Sequence, residues 1–190
     1  MTAKSGRSAA TEAPNMATLE TSLGPLLLEP ARPEELALVM GILDECAGWL
    51  HGRGIAQWAL PQPPHEWEKM RVQIALGHVT LARLEVDRSI VGTLRVEWED
   101  AHLWPDDPTG GGYVHALAVR NHIRGHGIGA RLLDWAQAHI AAQGREYIRL
   151  DCWDKNARLC RYYESLGFRP CGHFTAGDWT GALYEKEAAP

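Results

Sequence analysis

The sequence predicts an α/β fold built on one mixed sheet, and three observations carry this. Apolar residues alternate at period two in several short runs and recur at steps of three and four in others. The predicted order is β-α-α-β-β-β-α-β-α-β-β, with antiparallel strands first and β-α-β units after them. The chain has 190 residues, which at roughly 150 residues per domain is one domain with some chain to spare.

Residues 1–24 contain no aromatic side chain and are rich in Ala, Ser and Thr. Such a segment buries too little surface to offset its ordering entropy. It is read as a disordered N-terminal extension, with Met16 as an alternative start, and residues 25–190 as the folded domain. A short strand opens at Pro25. Pro33, Glu34 and Glu35 then start a helix, whose face is Leu36, Val39, Met40, Leu43, Ala47 and Leu50. Gly52 and Gly54 end it. Pro61, Pro63 and Pro64 mark a loop, and a second helix is predicted over residues 66–76.

Two strands follow over residues 78–86 and 90–98, joined at Asp87, Arg88 and Ser89. After a loop rich in Gly and Pro, residues 113–119 form the next strand. An amphipathic helix carries Ile128, Leu132, Ala136 and Ile140 on one stripe and closes at Gly144. Strand 147–152, helix 156–166 and two strands near 168–174 and 179–186 complete the domain. Trp98, Trp135, Trp153 and Trp179 lie within elements and are expected in the core or on a dimer surface.

Composition narrows the function. The chain is 45% hydrophobic and 23% charged, as an average globular protein is. Its 19 basic residues are outnumbered by 24 acidic ones, a net charge of −5. That argues against a general nucleic-acid or anionic-membrane binder. No apolar run approaches the roughly 18–20 residues of a membrane span. The first residues lack the apolar stretch of a secretory signal, so a soluble, cytoplasmic protein is expected. Cys46, Cys152, Cys160 and Cys171 show no C-x-x-C spacing, and no H-E-x-x-H occurs. No metal site or disulfide is predicted.

The sharpest signal is Arg124-Gly-His-Gly127-Ile-Gly129, between a strand and a helix. Glycines there let backbone approach a ligand closely. The free amides of the helix's first turn suit a phosphate or pyrophosphate. The string Gly125-x-Gly127-x-x-Ala130 formally matches a dinucleotide fingerprint, with Asp151 near the expected acid. At least three strands precede it, however, and too little chain follows for the second half of such a sheet. No G-K-[ST] is present, which excludes a nucleotide-triphosphate loop.

The motif R-x-x-G-x-G, after a strand ending Leu117-Ala118-Val119, resembles the acetyl-CoA motif of the GNAT superfamily of N-acetyltransferases. Asn156-Ala157 followed by Tyr163-Glu-Ser-Leu-Gly-Phe168 resembles that family's second conserved segment. The resemblance covers nearly the whole predicted domain. It implies a GNAT fold, a mixed, largely antiparallel and splayed sheet flanked by helices, and acetyl-CoA as co-substrate.

It also implies residue roles. Backbone groups of Leu117, Ala118 and Val119 would hold the pantetheine arm. The amides of Gly125, His126, Gly127, Ile128, Gly129 and Ala130 would hold the pyrophosphate, with Arg124 adding charge. Asn156 would contact the cofactor near its thiol end, and Tyr163 would protonate the departing thiolate. As a residue, Asn156 also suits a helix N-cap. The general base stays open among Asp151, His115, Tyr113 and Glu97. The acceptor region is expected to include Arg53, Gln57 and Trp58. Glu99, Asp100, Trp104, Asp106 and Asp107 offer acids and rings for a cationic amine.

The implied activity is transfer of an acetyl group to a primary amine of a small molecule, by direct attack. The alternatives are a protein N-terminal or lysine acetyltransferase and an acyl-CoA-binding regulator without turnover. No nucleic-acid or membrane partner is expected, and a homodimer is left open.

Overall fold

The computed structural model describes residues 16–105, 110–177 and 179–189. Its strands are β1 (Ala17–Leu19), β2 (Leu26–Pro30), β3 (Val79–Leu84), β4 (Ile90–Glu97), β5 (Gly112–Val119), β6 (Tyr147–Trp153), β7 (Arg169–Ala176) and β8 (Trp179–Glu187). Its helices are α1 (Leu36–His51), α2 (Pro64–Ala75), α3 (Ile128–Ala142) and α4 (Ala157–Ser165). The strands form one open sheet in the order β1-β2-β3-β4-β5-β6-β8-β7. Every neighbouring pair is antiparallel except β5 and β6. The predicted mixed, largely antiparallel sheet flanked by helices is therefore the one observed.

Two cores, one on each face, fix this layering. On one face Val39, Met40 and Cys46 of α1 and Met70 and Ile74 of α2 pack on Val79 and Leu81. On the other, Ile128, Leu132, Ala136 and Ile140 of α3 are buried against Leu94, Val96 and Ile148. The strand pleat sends alternate residues to opposite faces, and burying one large aliphatic side chain is worth about 1.5–3 kcal/mol. That energy commits the stripe of α3 to the sheet. The helix α2 starts two residues before its predicted first residue. Pro64 occupies its first turn, where the missing amide would have had no partner anyway.

The expected disordered extension is corrected from Met16 onward. Ala17, Thr18 and Leu19 pair with Leu28, Leu27 and Leu26, and Leu19 and Leu23 pack against the core. The chain reverses at Gly24, where φ is 98°, a left-handed value that glycine adopts at no steric cost. Residues 1–15 lie outside the described residues. Among the described residues, no helix is long and apolar enough to cross a membrane.

The functional geometry begins where β5 and β6 part. They pair only from Gly112↔Ile148 to Val114↔Leu150, yet β5 runs on to Val119 and β6 to Trp153. A bulge drives the split. Thr93 faces Ala118 and Arg95 faces His115, so β5 carries an extra residue, and Ala116 takes a φ of 51°. A non-glycine residue held there costs roughly 1–3 kcal/mol, and a bulged strand bends. This bend turns β5 away from β6 and opens a fork in the sheet.

Candidate active site

A cleft of about 980 Å³ fills the fork. Its walls come from β5 and β6, from the ends of α1 and α2, and from the N-terminal turns of α3 and α4. The residues just past the last paired register, His115 on β5 and Asp151 on β6, both face it. His115 Nδ1 lies 3.8 Å from Asp151 Oδ1, and its Nε2 lies 3.3 Å from Asp100 Oδ2. Asp100 is held from behind by the Leu103 amide, which donates to Oδ1 at 3.3 Å.

Burial raises the pKa of Asp151, the nearby Asp100 charge adding to it and His115 opposing it. Burial also works against the Asp100 charge. There the contacts with His115 and the Leu103 amide win, and its pKa falls. Two carboxylates flanking one imidazole are thus driven in opposite directions, an arrangement suited to accepting and relaying a proton.

Tyr163, on α4, also lines this cleft. Only 6% of its surface is exposed, and its ring packs on Phe168 and Tyr184. Burial pushes its phenol well above the ordinary value, so it keeps its proton across neutral pH. Asn156 caps α4, its Oδ1 accepting from the Leu159 amide at 3.3 Å. Its Nδ2 donates to Gln57 Oε1 at 2.9 Å. That bond bridges the cleft from α4 to the loop between α1 and α2.

The outer arm is built for an anion. Gly125 and Gly127 have φ values of 91° and 73°, and a Cβ at either would meet no atom within 4 Å. Gly127 is the N-cap of α3, with no side chain satisfying the first-turn amides. Those amides and the helix dipole leave an anion site open to the cleft. Arg124 lies beside it, its Nε donating to Asn121 Oδ1 at 2.8 Å and its guanidinium 3.8 Å above the Trp49 ring.

Residues 49–168 match the acetyltransferase (GNAT) family. This chain belongs to the GNAT acetyltransferase family. An uncharacterized N-acetyltransferase of Bacillus subtilis, YesJ, is 33% identical over 163 residues, 83% of this chain and 88% of that protein. A GNAT acetyltransferase structure from Listeria monocytogenes superposes with a TM-score of 0.76 at 23% identity, covering 90% of this chain and 99% of its own. YncA of Salmonella typhimurium, whose structure holds its cofactor acetyl-CoA, superposes with a TM-score of 0.63 at 15% identity. The coverage there is 87% of this chain and 95% of that one.

Most of the residues singled out by the GNAT motifs meet at the fork. His115, Leu117, Val119, Arg124, Gly125, Gly127, Ile128, Gly129, Asp151, Asn156 and Tyr163 all line the cleft. Three do not. Ala118 is buried toward the α1–α2 core. Ala130 and His126 border a separate small hollow beside Ser22, and His126 Nδ1 lies 3.4 Å from Ser22 Oγ.

The other candidates for the base sit elsewhere. Tyr113 is buried in the paired part of β5, opposite Arg149, and Glu97 is paired with Arg95. Trp104 packs near Arg149 and Tyr113, away from the cleft, and Glu99 is exposed. Asp106 and Asp107 lie outside the described residues. Trp58 lines the cleft as expected. Trp179, expected in the core or on a dimer surface, lines it too. The Asp100–His115 contact had no signal in spacing, since a loop of unpredictable path separates the two.

Proposed function

We propose that this protein transfers the acetyl group of acetyl-CoA to the primary amine of a small molecule, by direct attack. The observation that carries this is the fork itself: His115 and Asp151 flank its base, and the Tyr163 phenol faces the same cleft. Acetyl-CoA supplies the acyl group as an activated thioester. The chain's own residues supply the rest.

The first-turn amides of α3 and Arg124 fit a diphosphate. Beyond Val114, β5 still pairs with β4 but its other edge has lost the ladder to β6, and backbone groups on that edge can hydrogen-bond an amide-rich arm. An amine must be neutral to attack. Asp151, with its raised pKa, takes the ammonium proton and relays it to His115, whose developing charge Asp100 balances. Tyr163 gives its phenolic proton to the leaving sulfur. As the adduct collapses, the second proton lost by nitrogen restores the Tyr163 phenol while the first leaves through His115, so each proton has a donor and an acceptor and no covalent intermediate on the protein is needed.

The acceptor arm supports a small cationic amine. The Trp58 and Trp179 rings line it together with the carboxylates of Glu66 and Asp151, a combination that recognises a cation by charge and ring face. A panel of primary amines, followed by release of free thiol from acetyl-CoA, tests the reading. Turnover with at least one small amine is expected. No turnover across the panel, with acetyl-CoA still bound, overturns it in favour of a binding protein.

A further inference from the structure

We propose that Arg53 receives the 3′-phosphate of CoA, making the C-terminal end of α1 the element that distinguishes CoA from its dephospho form; this rests on acetyl-CoA being the co-substrate. The sequence alone put Arg53 with the acceptor. The structure assigns it to the opposite, anionic end. Its guanidinium carbon lies 3.7 Å from the Trp49 ring centroid, and that of Arg124 lies 3.8 Å from the same ring. Arg53 Nη1 also donates to the Trp49 carbonyl at 3.2 Å. One indole therefore anchors two guanidinium groups from elements far apart in sequence, and both line the cleft.

Three other arginines near the fork are already matched by acids, whereas Arg158, in the first turn of α4 beside Asn156, also lines the cleft with no ion pair among the described residues. Arg120 is held by Glu45 at 2.7 Å, and Arg95 and Arg149 pair with Glu97 and Glu185. Arg53 and Arg124 form no ion pair among the described residues. Sharing one ring, they stand closer together than the Debye length of about 8 Å at physiological salt, so their repulsion is only partly screened. Anions bound beside them relieve it.

Charge counting then divides the work. Arg124 and the α3 amides match a diphosphate. CoA carries a second anionic group, a phosphomonoester, on the same adenosine unit, so its receptor must lie next to the diphosphate site. Arg53 occupies that place, pre-stacked and free to form a forked pair with phosphate oxygens.

Calorimetric titration of CoA and 3′-dephospho-CoA into the wild type, Arg53→Gln and Arg53→Lys tests this. The wild type should bind CoA about tenfold more tightly than dephospho-CoA, in line with a charge-assisted hydrogen-bonded pair. Arg53→Gln should weaken CoA by about the same factor and leave dephospho-CoA within twofold. Arg53→Lys, which keeps the charge but loses the fork, should fall between. Equal weakening of both ligands would place Arg53 on the diphosphate and overturn the assignment. So would a wild type that does not distinguish them. A wild type that binds neither overturns the acetyl-CoA reading itself, and this assignment with it.

Discussion

His115 Nδ1 stands 3.8 Å from Asp151 Oδ1 across the point where β5 and β6 separate. The two residues are the first register position beyond the parallel ladder, which ends at Val114↔Leu150. Chain path, bulge and chemistry therefore meet at one register step. A longer ladder would close the fork and leave this pair no cleft to serve.

Asp151→Asn should abolish turnover by about 10²-fold or more and yet stabilise the fold. Burial raises the folded-state pKa of Asp151. At acidic pH the carboxyl is neutral in both folded and unfolded chains and costs nothing. As pH rises above the ordinary unfolded value of about 3.9, the unfolded chain ionises freely while the folded one resists, and stability is lost until the folded value has been passed. Asparagine never ionises. Melting temperatures should therefore favour Asp151→Asn by a margin that is smallest below the ordinary carboxyl value of about 3.9 and grows as pH rises above it. A margin that shrinks with pH would show the native site favouring the charged carboxylate.

Tyr163→Phe should keep the packing on Phe168 and Tyr184 and lose only the proton donor. Turnover is expected to fall by about 10²-fold, with the melting temperature and acetyl-CoA affinity near wild type. Tyr162 is the matched control. It also lines the cleft, but its hydroxyl lies against Gly129, 3.1 Å from where a Cβ there would sit. Tyr162→Phe should cost a few-fold at most. Steady-state kinetics on both variants decide between them, and the reverse pattern would move the acid to Tyr162.

The parts of the site that sequence revealed are those whose chemistry is local. Arg124 to Gly129 is legible because an anion site needs glycines and helix amides in consecutive positions. Asn156 is legible because capping is decided within one turn. The acidic partner of His115 was not, because Asp100 reaches it through a loop whose course no spacing encodes. Gln57 and Asn156 are 99 positions apart, and nothing in either segment announces their bond. Ala116 reads as an ordinary strand residue, since a bulge is imposed by the register of its neighbours. β1 was missed for a related reason. Three residues are too short a run to show a strand period, and they form a strand because the edge of β2 is there to pair with.

That edge strand is open to test. Deletion through Ser22 removes β1 and the contacts of Leu19 with the core. Losing one half-buried leucine and a short ladder is worth about 2 kcal/mol, or roughly 4–8 °C for a domain of this size. A chain beginning at Met16 keeps every one of these contacts and serves as the reference. Thermal melts of the two should differ by that amount. Equal melting temperatures would mean that β1 contributes nothing to stability.

Asn156 does two jobs that can be separated. Its Oδ1 caps α4 and its Nδ2 faces Gln57 across the cleft. Serine is nearly as good an N-cap as asparagine, whereas alanine costs about 1 kcal/mol. Serine and alanine both lack the amide donor. If Nδ2 helps to hold acetyl-CoA in the cleft, Asn156→Ser should melt within about 2 °C of wild type while its KM for acetyl-CoA rises by about tenfold. That rise corresponds to one lost hydrogen bond of about 1.4 kcal/mol. Asn156→Ala should show the same rise in KM and, in addition, melt about 2–4 °C lower. The contrast between the two variants carries the argument. An Asn156→Ser protein with unchanged KM, beside a destabilised Asn156→Ala, would leave the cap as the residue's whole function and make the bond to Gln57 a feature of the unliganded cleft alone.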